Sequence, residues 1–289
     1  MAEPASKGAG DENFPVGSVL IAARLRPAVM AYYAVARATD DVADDPDLEP
    51  AEKRRRLDRF EAALLGGLDA PDVAVAVRAR SALAAVGVPV EHATRLLRAF
   101  RRDAEGQRCG EWQDLLAYCA DSANPVGRFL LDLHGERASL YPASDALCTA
   151  LQVLNHLQDC GDDFRRLGRV YLPAAWLEAE GVAVEELAGT TASPGIRRVL
   201  DRCLLEVDAL LAVARPLPLR LQSTRLALET AVILRLAAVL GARLKRRDPL
   251  AERVRLSRAA MLMHGVAAVA ACLWRRASRR ETGLREACP

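Results

Sequence analysis

The 289-residue chain reads as an all-α protein, and three observations predict that class. Apolar residues make up 51% of it, yet they are mostly Ala and Leu, with only three isoleucines and an aromatic share of 4%. Good helix formers are therefore abundant and good strand formers scarce. Apolar positions recur at i, i+3, i+4 and i+7 along most of the chain, with no convincing alternating run. Neither an internal repeat nor a Gly/Ser-rich linker divides it. The expectation is one helical domain of about ten helices. It would span residues 14–278, between a flexible N-terminal stretch, 1–13, and a flexible C-terminal tail, 279–289.

The first helix is expected over Arg26–Asp44, where Met30, Tyr33, Ala34 and Arg37 share a face. Pro50 suits the start of a second, whose Leu57, Phe60, Leu64 and Leu65 line one side before Gly66-Gly67 closes it. Pro71–Ala85, Pro89–Glu105, Trp112–His134 and Ser144–Arg166 follow as further helices. Gly168–Trp176, with Pro173 as a breaker, reads as a loop. Pro194–Val213, Leu219–Arg246 and Leu256–Arg275 complete the series, punctuated by Pro216, Pro218 and Asp248-Pro249.

Composition excludes several functions. Forty Lys and Arg against 38 Asp and Glu leave a net charge of +2, far from the basic excess of a dedicated nucleic-acid binder. Seven scattered cysteines without a C-x-x-C pair make neither a disulfide framework nor a zinc site, and fit a reducing cytoplasmic setting. The polar, acid-containing N-terminus lacks the order of a signal peptide. The longest apolar stretch, Ala259–Trp274, would measure about 24 Å as a helix, too short to span a bilayer. The basic run Arg275-Arg276-Ala277-Ser278-Arg279-Arg280 behind it suits peripheral contact with an anionic membrane such as the inner membrane.

Two acidic clusters stand out. In Asp40-Asp41-Val42-Ala43-Asp44-Asp45, Asp40 and Asp44 lie on one helical face, and Asp41 and Asp45 on another. Like charges at that spacing repel, and acids at the C-terminal end of a helix oppose its dipole. Local stability disfavours the arrangement unless a cation sits against it. In the second cluster Gln152, Asn155, Asp159 and Asp163 form a continuous stripe flanked by Val153, Leu154 and Leu157. Amides and carboxylates on an otherwise apolar helix want a polar partner, because burying them unpaired is expensive. The donors are oxygens, which suit Mg²⁺ rather than zinc. Two such stripes facing each other would hold a diphosphate between metal ions.

These two stretches, 36–45 and 155–164, resemble the paired aspartate motifs of the squalene/phytoene synthase family. The resemblance extends to Tyr33–Arg37, Ala123–Gly127, Gly168–Pro173 and Asp248–Val254, and so to most of the chain. Within the family, Ser122–Arg128 and Asn155–Asp163 look most like the hopanoid-pathway branch. Two departures stand beside this. Asp11-Glu12-Asn13-Phe14 replaces a common Ser-x-Ser-Phe, and Gln158 replaces an Arg before the second motif. Both remove groups that would handle a diphosphate, which favours a specialist acting on a preformed cyclopropyl intermediate.

The resemblance implies the isoprenoid-synthase helical bundle and a Mg²⁺-dependent conversion of presqualene diphosphate to hydroxysqualene. Asp40, Asp44, Asn155, Asp159 and Asp163 would hold the metal, with Gln152 beside them. Arg37, Arg169 and Arg253 are candidate phosphate contacts, and Tyr33 and Tyr171 could face positive charge. Val126, Gly127, Ala123, Leu130 and Leu131 are candidate lining for the prenyl chain, although ordinary helix packing explains any one of them. His156 and Cys160 read as packing residues. No G-x-G-x-x-G motif suggests a nicotinamide site, which favours capture of the carbocation by water over hydride. The alternatives are a complete head-to-head synthase joining two farnesyl or geranylgeranyl diphosphates, and a non-catalytic scaffold. Coupling to other enzymes of the same pathway is also expected.

Overall fold

A computed structural model describes residues 21–286 of the chain, with side chains to Ser278. The expected stretches at Asp11–Phe14, and the side chains of Arg279 and Arg280, lie outside the described residues. Helices carry the fold, and no strand occurs among the described residues. They are α1 (Arg26–Asp44), α2 (Pro50–Leu64), α3 (Ala74–Ala85), α4 (Glu91–Ala104), α5 (Trp112–Ser122), α6 (Asn124–Leu133), α7 (Tyr141–Leu167), α8 (Ala174–Ala179), α9 (Pro194–Ala214), α10 (Leu217–Arg220), α11 (Thr224–Leu244) and α12 (Arg258–Glu286).

Proline and glycine set many of the boundaries. Pro27, Pro50, Pro142 and Pro194 all fall in the first two positions of their helices, where a missing N–H costs nothing. Ser193 and Ser223 cap α9 and α11 by accepting from the amides of Ile196 and Leu226. Gly168 closes α7 in the left-handed conformation, φ 64°, which turns the chain back over the helix end.

Four expectations need correction. The predicted helix 112–134 is two helices that break at Ala123, where φ is −122° and ψ is −44°. Pro125 is the cause, because it has no N–H to continue the ladder and its ring crowds the preceding turn. The predicted helix 219–246 is also two, the short α10 and then α11, which starts afresh at Thr224 behind its Ser223 cap. The expected loop 168–176 already contains the start of α8, and α12 runs on to Glu286, past Arg279.

α7 is the central strut, packed against α5, α6, α9 and α11. Val153, Leu154 and Leu157 on its buried side join Val199, Leu200 and Leu204 of α9 in one apolar core. A second core gathers α1 to α4 around Leu57, Leu64, Leu83, Leu97 and Phe129. Polar clamps hold α6 in its place between them. Arg128 grips Asp145 of α7 through two bonds of 2.9 and 2.5 Å, and Thr149 donates to Asn124 at 3.0 Å. Gly127 brings α6 close to α7: a Cβ there would lie 2.4 Å from Ser144 Oγ and 2.6 Å from Cys148 Sγ. Its glycine is explained by helix packing rather than by access for a prenyl chain.

Candidate active site

The acidic end of α1 is held by cations, as its sequence demands. Arg37 pairs with Asp40 at 2.7 Å and with Asp41 at 2.5 Å. Arg169, from the segment after α7, pairs with Asp44 at 2.5 Å and donates to the Ala43 carbonyl at 3.1 Å. Lys53 donates to the same carbonyl at 2.9 Å. Positive charge therefore meets the negative end of the helix dipole.

Arg169 also joins this end to α7, since its backbone amide donates to the Asp163 carbonyl at 3.2 Å. The two acidic clusters thus belong to helix ends that one arginine connects. Burial, together with neighbouring Asp44, pushes the Asp40 carboxyl up to about 7, against the opposing pull of Arg37 and Arg169. Such a group gains from an added cation.

Several groups at this site escaped the sequence reading. Asp103, at the end of α4, accepts from Tyr118 Oη at 2.8 Å and from Tyr171 Oη at 3.0 Å. Burial raises its carboxyl above the ordinary range, while Arg169 and the two tyrosines oppose that shift. The Tyr171 ring stacks on His156 with centroids 3.6 Å apart, so one of its faces is covered and not open to a cation. Burial, helped by Arg169, pushes His156 down to about 3, so this histidine is neutral. Its Nε2 lies 3.2 Å from the Gln152 side-chain nitrogen, which makes it the satisfied packing histidine expected.

The remaining candidates separate into two groups. Asn155, Asp159 and Asp163 are half-buried along α7. Arg253 is exposed beside Val254, whose carbonyl accepts from Gln158 at 2.5 Å. Gln158 is thus committed to tying the 248–257 segment to α7. Below the acidic ends lies a largely apolar cavity of about 320 Å³ between α1, α6, α7 and α11. Tyr33, Ala123, Val126, Gly127, Leu130, Leu131 and Gln152 are among the residues that line it.

Among the described residues no three His, Cys, Asp or Glu side chains are gathered to hold a metal by themselves. Mg²⁺ does not require that, because it commonly takes one or two carboxylates and completes its shell with water and phosphate oxygens. The oxygen-only donors and the repelling Asp40–Asp44 pair fit such an ion.

A squalene/phytoene synthase family model matches residues 8–260. The chain belongs to that family. It is 45% identical to the hydroxysqualene synthase of Sinorhizobium fredii over 94% of this chain and 92% of the relative. The hydroxysqualene synthase of Zymomonas mobilis is 42% identical, over 92% and 89% of the two chains. Among solved structures, squalene synthase HpnC from Alicyclobacillus acidocaldarius superposes with a TM-score of 0.69 at 31% identity, covering 80% of this chain and 87% of that one. A dehydrosqualene synthase at 21% identity shares the fold, with a TM-score of 0.72 over 89% and 90% of the chains.

Proposed function

We propose that this family member, a prenyl-diphosphate-processing enzyme, converts presqualene diphosphate to hydroxysqualene. The observation that carries the reading is the pairing of two carboxylate-bearing helix ends, joined by Arg169, above an apolar cavity. The named relatives support it. Mg²⁺ bound by Asp40, Asp44, Asn155, Asp159 and Asp163 would neutralise the departing diphosphate and so lower the cost of ionisation. Arg37 and Arg169 release their carboxylates to that cation and offer their guanidinium forks to phosphate oxygens.

Breaking the C–O bond to diphosphate leaves a cyclopropylcarbinyl cation, which rearranges and adds water. The cavity walls keep bulk water away while this happens. Asp103 holds the hydroxyls of Tyr118 and Tyr171 in place beside Arg169 and Asp44.

Gln158 is bonded to Val254, so it does not supply the cation that an Arg would offer a second diphosphate. This favours the specialist over a complete head-to-head synthase, and the retained acidic clusters disfavour a scaffold. Purified protein with Mg²⁺ should release diphosphate from presqualene diphosphate and form hydroxysqualene. Efficient conversion of farnesyl diphosphate alone into a C30 product would overturn the specialist reading.

Peripheral membrane contact belongs to the same proposal. α12 exposes Leu262, Met263, Val266, Leu273 and Trp274, and residues 254–278 contain arginines but no acid. An apolar C30 product would leave readily into a bilayer beside that face. No helix among the described residues is long and apolar enough to cross a membrane.

A further inference from the structure

An alcohol product demands one water held inside a cavity that is otherwise apolar. A buried water typically needs two to four polar partners. The polar groups that line this cavity are few, and most are already engaged. Gln152 faces His156. Ser144 bonds the Cys148 thiol one turn further along α7.

Ser122 differs. It is the last residue of α5, at the break that Pro125 imposes, and its Oγ is buried without a hydrogen-bond partner. Buried hydroxyls in folded proteins nearly always have a partner, and a lone one calls for explanation. Across the same cavity, α11 contributes Glu229 and Thr230, which are 5% and 7% exposed. A carboxylate and an unsatisfied hydroxyl therefore line one small chamber, among Val29, Leu147, Leu151 and Ile233. A carboxylate has two oxygens and about four lone-pair sites, so Glu229 can accept from a water in addition to the interaction it already makes.

We propose that Ser122 and Glu229 hold the water that captures the carbocation, and that Glu229 takes its proton. The inference rests on the proposed function and adds the groups that decide between alcohol and hydrocarbon. The water oxygen forms the new C–O bond with a lone pair. One O–H bond of the resulting oxonium then breaks, its electrons remain on oxygen, and the proton passes to the Glu229 carboxylate. No oxidant or reductant is needed. Without a water at this position the cation loses a proton from carbon instead, and the product is a C30 hydrocarbon.

The test compares Ser122→Ala and Glu229→Gln with the wild-type protein, using presqualene diphosphate and Mg²⁺ in ¹⁸O-water. Released diphosphate, labelled hydroxysqualene and hydrocarbon products are read separately. Both variants should lower the alcohol-to-hydrocarbon ratio by about tenfold or more, while diphosphate release stays within about twofold. Ser122→Ala removes only an unbonded oxygen, so its melting temperature should equal or exceed that of the wild type. It therefore keeps the test valid should Glu229→Gln fold poorly. An unchanged product ratio in folded Ser122→Ala overturns the inference and leaves the proposed function standing. Failure of the wild type to form any alcohol from presqualene diphosphate overturns both.

Discussion

Replacing Gly127 with alanine places a methyl group where α6 and α7 touch. The new Cβ would lie 2.4 Å from Ser144 Oγ and 2.6 Å from Cys148 Sγ, about 1 Å inside ordinary contact. Either α6 moves outward or both side chains leave their present rotamers, and overpacking of this kind costs about 1–3 kcal/mol. Alanine recovers about 1 kcal/mol through its better helix propensity. An overlap this severe belongs in the upper part of the overpacking range, so the net loss is about 1–2 kcal/mol, or a fall of about 2–3 °C in melting temperature for a chain of this size. Thermal unfolding by circular dichroism reads this directly. Gly127→Ala combined with Ser144→Ala should recover part of the loss, because the shorter contact is removed while the Cys148 contact stays. A single variant that melts at or above the wild type would refute the packing argument for this glycine.

Other consequences of the structure can be measured alongside. Arg169→Ala strips Asp44 of its partner and removes one of two donors to the Ala43 carbonyl. Because the Asp44 side chain is 37% exposed, the expected stability loss is about 1–2 kcal/mol rather than the larger penalty of a fully buried pair. Urea unfolding measures it, and kcat/KM should fall at least about tenfold; an unaltered kcat/KM would remove Arg169 from the site. His156 has a folded pKa near 3, below the unfolded value, so the unfolded chain binds the extra proton first as pH falls. Its contribution is complete above about pH 6.5 and costs about 2 kcal/mol of stability by pH 5, a slope that His156→Gln should lack. An NMR titration placing this imidazole near the ordinary histidine value would contradict that. Trp274 is 70% exposed whereas Trp176 is buried and stacked on Trp112, so a blue shift with phosphatidylglycerol vesicles would report Trp274. The shift should vanish in Trp274→Phe; dimerisation without vesicle binding would show that another copy of the chain covers the face.

Much of the fold was legible because single residues punctuate it. α1 begins and ends at Arg26 and Asp44 as the spacing predicts, with Pro27 in its first turn and Asp45-Pro46 beyond it. Pro50 and Pro194 mark their helices equally well. The break at Ala123 was missed because apolar spacing continues through it, although Pro125 was the available signal. Both acidic clusters were visible because they oppose local stability.

Asp103 obeys the same logic, being an acid near the C-terminal end of its helix, but it stands alone rather than in a run. Its partners are 15 and 68 residues away, and no local spacing encodes a Tyr118–Asp103–Tyr171 junction. The roles of Arg37 and Arg169 were half legible. Arg37 meets Asp40 and Asp41 within α1 at i, i+3 and i, i+4, a spacing open to reading, whereas the Arg169–Asp44 pair depends on how α1 meets the end of α7.

The central claim is that the two acidic helix ends act together to ionise presqualene diphosphate over the cavity. The most direct measurement is a single-turnover reaction of that compound with wild-type protein, Asp40→Asn and Asp159→Asn, each with and without Mg²⁺. Rapid diphosphate release and hydroxysqualene are expected only from the wild type with Mg²⁺, with both variants slower by at least about a hundredfold although folded. Undiminished release in either folded variant would contradict it.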